Sequence, residues 1–304
     1  MVNQVRELPK VYIVVVNWNG RNDTLECLAS LMDLDYPRHT VVAVDNASSD
    51  GSVKEIRLRF PQVTILQAGA NLGFAGGNNV GIRHALEHGA DYVWILNNDT
   101  VVAPDALTRL LERMQAKTDA GMCGSKLVYY HDRRQVQALG GATYNRWFCI
   151  PKHLGRNSDV DAAVDVEEVE ARLDYVVGAS LLVSRRFVET IGLMNEDYFL
   201  YFEELDWAAR ARGRFSLAYA ENSIVYHKEG ASIGGKIDRP LERSSISDYY
   251  WMRNRLIFTR KFYPYALPTA YVSLLLALFN RVRRRQWDRV RMSLSLLGGR
   301  WSRG

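Results

Sequence analysis

The chain has 304 residues, 47% hydrophobic and 24% charged, a composition that excludes a low-complexity protein and allows a substantial core. Its three scattered cysteines exclude a disulfide framework or a zinc site and are typical of a reducing cytoplasm, and the polar first ten residues lack the apolar stretch of a signal peptide. The formal charge of +5 is uneven. Residues 281–304 hold eight arginines and one aspartate, a balance of +7, so the other 280 residues sum to −2.

Strands and helices alternate in the first third of the chain. The apolar runs predict strands at Val11–Val16, Thr40–Val44, Val63–Gln67 and Tyr92–Leu96. Helical spacing predicts helices at Thr24–Leu34, Val53–Phe60, from the glycine-rich segment 71–81 to Glu87, and at Asp105–Gln115. Four strands alternating with helices predict βαβ units and a parallel, doubly wound sheet.

The predicted strands end in polar or glycine-rich loops. Asn17-Trp18-Asn19-Gly20 follows the first strand, the segment 45–52 follows the second, and Asn97-Asn98-Asp99-Thr100 follows the fourth. Ligands bind outside the carboxyl ends of parallel strands, so these loops predict one shared ligand edge. A carboxylate there, such as Asp99, is a candidate for holding a divalent cation and a phosphate, although Asn, Asp and Thr also cap helices.

The second half is less regular. A strand is predicted at 121–130, a mixed region at 135–150, and an exposed loop or short helix at 157–174, where seven acids meet one arginine. The apolar run 174–183 contains Gly178-Ala179-Ser180, small residues that allow a ligand close to the backbone. A charged helix at Glu203–Arg212 and a strand at Phe215–Tyr226, which ends at His227, follow.

The character of the chain changes after Ser244. An amphipathic helix is followed by an apolar stretch in which only Ala270–Phe279 is free of proline, about half of the roughly 20 residues needed to span a bilayer. Arginines and Trp287 come next, a pattern typical of a segment lying in a membrane interface. The alternative is an arm packed on the body or on a second subunit of a homo-oligomer. No base-reading motif accompanies the arginines, so nucleic acid is not predicted as a partner.

Six of these segments, spread over about residues 10–260, resemble glycosyltransferase family 2, inverting enzymes of GT-A fold. They are the opening strand Val14–Gly20, the nucleotide-base loop Asp45–Ser52, the glycine-rich segment Asn71–Gly81, the Asp-X-Asp position at Leu96–Thr100, the acidic motif Phe202–Trp207, and His227. The glycine-rich segment is similar to that of rhamnosyltransferase-like members that build bacterial surface polysaccharides. One departure is that Asn97 stands where the motif has its first aspartate.

The resemblance implies an α/β protein of GT-A type, with a Rossmann-like, mostly parallel, doubly wound sheet. Residues 1–243 would be the catalytic domain, with a nucleotide-binding half at 10–100 and an acceptor-binding half at 101–243. Residues 244–304 would be a basic helical extension. The implied activity is inverting transfer of a sugar from a UDP- or dTDP-sugar, with dTDP-rhamnose among the candidates. The acceptor would be a lipid-linked or polysaccharide hydroxyl at the inner face of the membrane.

The resemblance also assigns roles to residues. Asp99 and His227 would hold Mn²⁺ or Mg²⁺, and the missing charge at Asn97 would weaken that binding. Adjacent helical residues point about 100° apart, so Glu203 and Glu204 cannot both face the acceptor, and the resemblance places the general base at the second acid of the pair, Glu204. Asp206 would bind the acceptor or orient a neighbour. The donor contacts would be Asp45, which accepts from the base imide or caps its own turn, together with Asn17, Asn19, Gly73, Asn78 and Asn97.

Two other classes of protein would share a nucleotide edge. A nucleotidyltransferase needs a basic triphosphate loop near the first strand, where only Arg21 is found. A non-catalytic sugar-nucleotide-binding or scaffold subunit would carry a degenerate site, and Asn97 favours that alternative.

Overall fold

The structure is a computed structural model, and it describes residues 7–228, 244–299 and 301. Predicted features that fall on the remaining residues, including the stretch after Lys228 and the last arginines, lie outside this description. Within the described residues all three cysteines are buried and unpaired with one another.

The described chain forms twelve strands and ten α-helices. The strands are β1 (Val11–Asn17), β2 (His39–Asp45), β3 (Thr64–Gln67), β4 (Tyr92–Asn97), β5 (Thr100–Val102), β6 (Ala120–Tyr129), β7 (Val136–Leu139), β8 (Gly141–Asn145), β9 (Ile150–His153), β10 (Tyr175–Val176), β11 (Ser180–Ser184) and β12 (Ser216–His227). The helices are α1 (Arg21–Met32), α2 (Ser52–Arg59), α3 (Gly73–Glu87), α4 (Ala106–Ala116), α5 (Val166–Arg172), α6 (Arg185–Ile191), α7 (Glu203–Ala211), α8 (Ser245–Phe262), α9 (Leu267–Arg283) and α10 (Trp287–Leu297). Every strand and helix predicted before residue 117 is present, with ends shifted by three residues at most.

The main sheet has nine strands in the order β3-β2-β1-β4-β11-β6-β12-β5, with β7 paired to β6. The first four run parallel, as predicted, and β12 runs parallel to β6. By contrast, β11 lies antiparallel between β4 and β6, and β5 is antiparallel to β12. The predicted parallel arrangement therefore holds for β1 to β4, and the rest of the sheet is mixed.

Side chains alternate across the sheet and build two cores. On β1, Tyr12 and Val14 join the cluster under α3, α6, α7 and α8, whereas Val11, Ile13 and Val15 join the cluster under α1, α2 and α4. The period of two along a strand explains this division. The molecule is thus a three-layer α/β/α arrangement, in which helices fix the positions of the strand ends on both faces.

Helix α8 shares the core of the catalytic body. Met252, Leu256 and Phe258 belong to the same buried cluster as Phe202, and the rings of Tyr144 and Phe258 meet edge to face with centroids 5.2 Å apart. A boundary at residue 243 therefore does not separate two cores. The predicted extension begins with a helix that is part of the body.

Two expectations from the sequence need correction. Pro268 lies in the first turn of α9, where its missing N–H costs nothing, so the helix runs unbroken over 17 residues rather than the 10 expected. In the acidic segment a short helix, α5, forms as predicted, but Glu170 is buried rather than exposed. Its carboxylate receives Arg113 and Lys117, each at 2.7 Å, which compensates its burial.

Candidate active site

The predicted polar residues meet at the carboxyl edge of the parallel strands. In the register of the sheet Asn17 lies opposite Asp45, and Val16 lies opposite Asn97. The same edge receives the end of β12, because His227 pairs with Thr100. The alternation of apolar strand and polar loop therefore brings side chains from three distant segments together, as the topology of open sheets requires.

Asp99 and His227 form a buried pair at this edge. Oδ1 of Asp99 lies 3.2 Å from Nε2 of His227, and the two side chains are 4% and 11% exposed. Nδ1 of His227 donates to Oε1 of Gln137 at 2.7 Å, so Nε2 is the ring nitrogen that faces Asp99. Nδ2 of Asn97 lies 3.4 Å from the same nitrogen. A ring held through its other nitrogen is the usual arrangement of a metal-binding histidine.

The chemistry of this pair fits a divalent cation. Burial is the largest single influence and raises the pKa of Asp99, but His227, a backbone hydrogen bond and the charge of Lys228 together lower it by more, so its pKa lies below the ordinary value and the carboxylate is ionised at neutral pH. Two ligands about 2.1 Å from one octahedral ion lie about 3.0 Å apart, close to the separation seen here. No cluster of three acidic, histidine or cysteine side chains accompanies them within the described ranges, which leaves most coordination positions to phosphate and water.

Asp45 and its neighbours shape the loop after β2. Oδ1 of Asp45 accepts from Nδ2 of Asn17 at 3.1 Å, and Oδ2 accepts from the backbone N–H of Ser48 at 3.0 Å. Asp45 therefore caps its own turn, which is one of its two predicted roles. Both of its carboxylate oxygens keep a lone pair that can accept a hydrogen bond from a ligand. Asn17 is fully buried, and its Oδ1 accepts from Thr24. Asn17 thus braces the loops from inside, and its place beside the base stays a prediction. Asn19 is exposed and holds Ser49.

The glycine-rich segment serves packing within the protein. Gly73 has φ of 71°, and a Cβ there would lie 2.2 Å from the carbonyl oxygen of Phe199. Asn78 is buried and donates to the carbonyl of Phe74 one turn earlier. The segment makes a close backbone approach to residue 199 within the protein. The donor contacts at Gly73 and Asn78 stay predictions.

Glu204 is the second residue of α7, and its carboxylate lies beside Gly178. Oε2 of Glu204 is buried and has no hydrogen-bond partner in the part of the chain that the structure describes. A Cβ at Gly178 would lie 3.6 Å from Oε1 of Glu204 and 3.0 Å from the ring of Phe74, so the glycine keeps the space beside the carboxylate open. Burial raises the pKa of Glu204, against the opposing effect of backbone hydrogen bonds at Glu204 and Gly178.

Glu203 is the more deeply buried of the two acids, and its Oε2 also lacks a hydrogen-bond partner within the described residues. It is 2% exposed, and burial, followed by the charge of Glu204, raises its pKa well above the ordinary value. A protonated Glu203 beside an ionised Glu204 avoids two adjacent buried charges. The pair therefore provides one carboxylate for proton transfer.

Glu204 and the Asp99–His227 pair are linked through the two residues that precede β11. Gly178 borders Glu204, and the next residue, Ala179, accepts from the backbone N–H of Asn97 at 3.1 Å. Asn97 in turn contacts His227. A short chain of contacts therefore joins Glu204 to the Asp99–His227 pair.

Asp206 does not belong to the site. It is fully buried, with Arg210 at 2.7 Å, Lys261 at 2.6 Å and the hydroxyl of Tyr198 at 3.1 Å. A carboxylate paired with two cations is not free to take a proton or bind a sugar hydroxyl. Of the two roles predicted for Asp206, these contacts favour orienting its neighbours, since the ion pair with Lys261 joins α7 to α8.

The loop before α7 is strained and is held by one side chain of α8. Phe199, Tyr201 and Phe202 all have φ between 63° and 76°, a region that costs a bulky residue of order 1–3 kcal/mol. Nδ2 of Asn254 lies within 3.0 Å of the carbonyl oxygens of residues 198, 200 and 201. Asn254 is fully buried, so its amide fixes the backbone that leads into Glu204.

Replacing Asn254 by alanine should release this loop. Three buried carbonyls would lose their donor, at about 1–3 kcal/mol for an unsatisfied group, so we expect a loss of roughly 2–4 kcal/mol in stability and a fall in kcat. Chemical denaturation and steady-state kinetics would measure both. Asn280→Ala, on the exposed side of α9, is a matched control. Unchanged kcat in folded Asn254→Ala would show that the loop needs no such support.

Sequence reasoning missed Gln137 and Asn254. Each is a polar residue inside an apolar element, buried at about 1% or less. A buried amide must find hydrogen-bond partners, so the signal was present. Local sequence patterns do not indicate that the partners are His227 and the loop 199–202.

The fold and the site define a nucleotide-sugar-dependent glycosyltransferase of GT-A type. Residues 12–165 match the model of the family described as glycosyl transferase family 2, and the chain belongs to this family. It is therefore an enzyme, and the nucleotidyltransferase and scaffold alternatives are dropped.

Relatives and solved structures agree with this assignment. The chain is 24% identical over 255 residues to the low-salt glycan biosynthesis hexosyltransferase Agl10 of Haloferax volcanii, covering 82% of this chain and 75% of that protein. It is 25% identical over 260 residues to the N-acetylglucosaminyl-diphospho-decaprenol L-rhamnosyltransferase of Mycobacterium tuberculosis, covering 80% and 84%. The mannosyltransferase PcManGT of Pyrobaculum calidifontis, solved with GDP-Man and Mn²⁺, superposes with a TM-score of 0.56 at 18% identity, covering 94% and 85%. The structural match confirms the GT-A fold.

Proposed function

We propose that this enzyme is an inverting glycosyltransferase that uses Glu204 as its general base and a divalent cation held by Asp99 and His227. The observation that carries the proposal is a buried, unpartnered carboxylate oxygen of Glu204 on the same sheet edge as the Asp99–His227 pair. The two groups meet the two chemical demands of sugar transfer, which are removal of a proton and neutralisation of a leaving diphosphate.

The transfer step is a single displacement. The acceptor oxygen bonds to the anomeric carbon while the carboxylate of Glu204 takes the hydroxyl proton. The bond from the anomeric carbon to the diphosphate oxygen breaks, and the nucleoside diphosphate leaves with that electron pair. Because attack and departure occur on opposite faces, the configuration at the anomeric carbon inverts. A positioned base of this kind contributes roughly 10²–10⁴-fold.

Mn²⁺ or Mg²⁺ is the proposed cofactor, and it would act as a Lewis acid on the leaving diphosphate. The imidazole of His227 favours Mn²⁺ over Mg²⁺ as a ligand partner. Asp45, Asn19 and Asn97 remain the proposed contacts of the nucleoside, because they lie at the ends of the strands that border the cation pair.

The relatives point to a donor and an acceptor. The mycobacterial relative is named as a rhamnosyltransferase acting on a diphospho-decaprenol, so we propose a UDP- or dTDP-sugar donor, with dTDP-rhamnose as the first to test, and a lipid-linked or polysaccharide acceptor of the cell envelope. A lipid-linked acceptor would place the enzyme at the inner face of the membrane, in keeping with the basic C-terminal segment.

A panel of nucleotide sugars tests this proposal. Thermal shift with Mn²⁺ would identify the donor, since a ligand at 100 times its dissociation constant adds about 2.7 kcal/mol. Release of nucleoside diphosphate from that donor would then establish turnover. A folded protein that neither binds nor cleaves any UDP- or dTDP-sugar would contradict the proposed donor class.

Restoring the motif should strengthen cation binding. Asn97→Asp would add a carboxylate beside Asp99, and we expect the Mn²⁺ concentration for half-maximal activity to fall roughly tenfold, which corresponds to about 1.4 kcal/mol. Asn19→Asp, which adds the same charge to the exposed loop after β1, is the control and should change the requirement little. An unchanged Mn²⁺ requirement in Asn97→Asp would mean that residue 97 lies away from the cation.

A further inference from the structure

Two distant parts of the chain form one exposed apolar surface. Six large side chains, each 53–64% exposed, make up what we name the docking face: Trp147, Phe148, Tyr265, Val272, Leu276 and Phe279. The first two lie in the turn between β8 and β9, and the others lie on α9 or just before it. Monomeric proteins rarely expose contiguous apolar patches of this kind without a binding role.

The turn and α9 are joined by direct contacts. The rings of Trp147 and Tyr265 meet with centroids 5.0 Å apart, and the hydroxyl of Thr269 donates to the carbonyl of Trp147. Arg255 donates both to the carbonyl of Phe148 and to the hydroxyl of Ser273. The turn is therefore held against α9, and the docking face is one continuous surface.

Helical spacing aligns the α9 part of this surface. Residues 265, 269, 272, 276 and 279 follow one another at intervals of three or four, which places them in a single row. The row ends in the exposed arginines Arg283, Arg284 and Arg285. Neither the stretch 143–153 nor the stretch 264–283 contains an Asp or Glu. The surface thus combines apolar and aromatic side chains with a positive rim.

The same helix cannot leave the body to cross a bilayer without breaking buried contacts. Residues Pro264–Arg283 are long and apolar enough to span by length and composition. However, Ala270 and Leu274 are buried in the core cluster, and buried Arg281 pairs with Asp248 at 2.7 Å. Removing one partner of a buried ion pair is strongly destabilising. A helix with one face packed and the other apolar suits a position in the plane of the interface.

We propose that the docking face inserts into the surface of an anionic bilayer, with α9 lying in the membrane plane and the β8–β9 turn inserting beside it. This inference rests on the proposed location at the membrane face and makes it more specific. It adds the β8–β9 turn, which lies more than 100 residues before α9. Charge complementarity selects the partner, because each arginine near an anionic surface adds about 1 kcal/mol of attraction. Trp and Tyr side chains are favoured at the same depth of a bilayer.

The docking face is also connected to the surroundings of Glu204. Strand β8 runs from the inserted turn to Gly141, which pairs with Val176 of β10, and Gly178 beside Glu204 follows two residues later. A bilayer contacting the turn would therefore lie at the end of the small sheet whose other end borders the base. That position suits an acceptor whose lipid part stays in the membrane.

Vesicle sedimentation of the full chain tests the inference. With vesicles of phosphatidylcholine and 30% phosphatidylglycerol we expect binding that weakens at high salt, and that falls at least tenfold in both Leu276→Glu and Trp147→Ser. Leu58→Glu is the matched control, because Leu58 is 73% exposed on α2 outside the docking face, and it should bind like the wild type. Thermal melting would verify that each variant is folded.

The outcomes separate this inference from the proposed activity. Release of nucleoside diphosphate from a soluble donor should be unchanged in Trp147→Ser, so loss of vesicle binding with intact turnover supports the docking face. If Trp147→Ser binds like the wild type while Leu276→Glu does not, the composite surface is wrong. If no variant or wild-type protein binds vesicles and light scattering shows a dimer that Leu276→Glu dissociates, the face binds a second copy and the inference is overturned.

Discussion

Replacing Glu204 by glutamine should lower kcat by about 10²–10⁴-fold, the contribution of a positioned general base. The amide keeps the size of the carboxyl group but cannot take a proton, so KM for the donor should change little. Steady-state release of nucleoside diphosphate measures this. Glu203→Gln is the matched control, since its carboxyl group lies in the interior, and it should retain most of the activity. Equal losses in both variants would remove Glu204 from its assigned role.

Although Glu204→Gln should lose activity, we expect it to lose no stability. Burial raises the pKa of Glu204 above its ordinary value. A carboxyl group whose pKa is higher in the folded state than in the unfolded state stabilises the fold below its unfolded pKa of about 4.3. This stabilisation is lost as the pH rises through the folded-state pKa. At pH 8 the buried negative charge of Glu204 destabilises the folded state. The melting temperature of Glu204→Gln should therefore equal or exceed that of the wild type. For the wild type, kcat/KM should fall as pH is lowered through that raised pKa.

Replacing Asp99 by asparagine should remove most of the cation-dependent activity. A Lewis acid at a leaving group supplies several kcal/mol, so we expect a loss of roughly 10²–10³-fold in kcat/KM and a large rise in the Mn²⁺ concentration needed. Titration of Mn²⁺ followed directly by its paramagnetic signal reports binding without turnover. Asp105→Asn, which removes the same charge six residues later, serves as control.

The pair also makes a prediction for His227. His227→Ala should weaken Mn²⁺ binding, while Gln137→Ala, which removes only the hydrogen bond that orients the ring, should weaken it less. Loss of an orienting partner typically costs 10–100-fold in metal affinity. Normal Mn²⁺ binding by Asp99→Asn would place the cation elsewhere.

The nucleotide-binding half could be predicted because its signals are local. β-branched runs followed by Asn, Asp or Gly define β1, β2 and β4, and parallel order then brings their ends together. Asp99 and His227 could be paired in advance only through the resemblance, since 128 positions separate them. Their contact depends on β5 pairing with β12, and the three-residue β5 is too short to detect from periodicity.

The tertiary contacts of the candidate site could not be predicted from local patterns. Asp206, Asn17 and Gly73 are residue types that suit a ligand site, and each also has close contacts within the protein itself. Whether a polar group faces a ligand or the interior depends on tertiary partners such as Lys261, Thr24 and Phe199, which local patterns do not encode. The role of α8 was missed for the same reason, because Asn254 acts on a loop more than 50 residues away.

The most direct test of the account is nucleoside diphosphate release from the donor that binds best, measured with Mn²⁺ and with EDTA in the wild type, Glu204→Gln and Asp99→Asn. We predict rapid release only by the wild type with Mn²⁺, and a loss of at least about 100-fold in either variant or in EDTA. Release at the wild-type rate in EDTA, or in both variants, would contradict the assignment of the cation pair and the base.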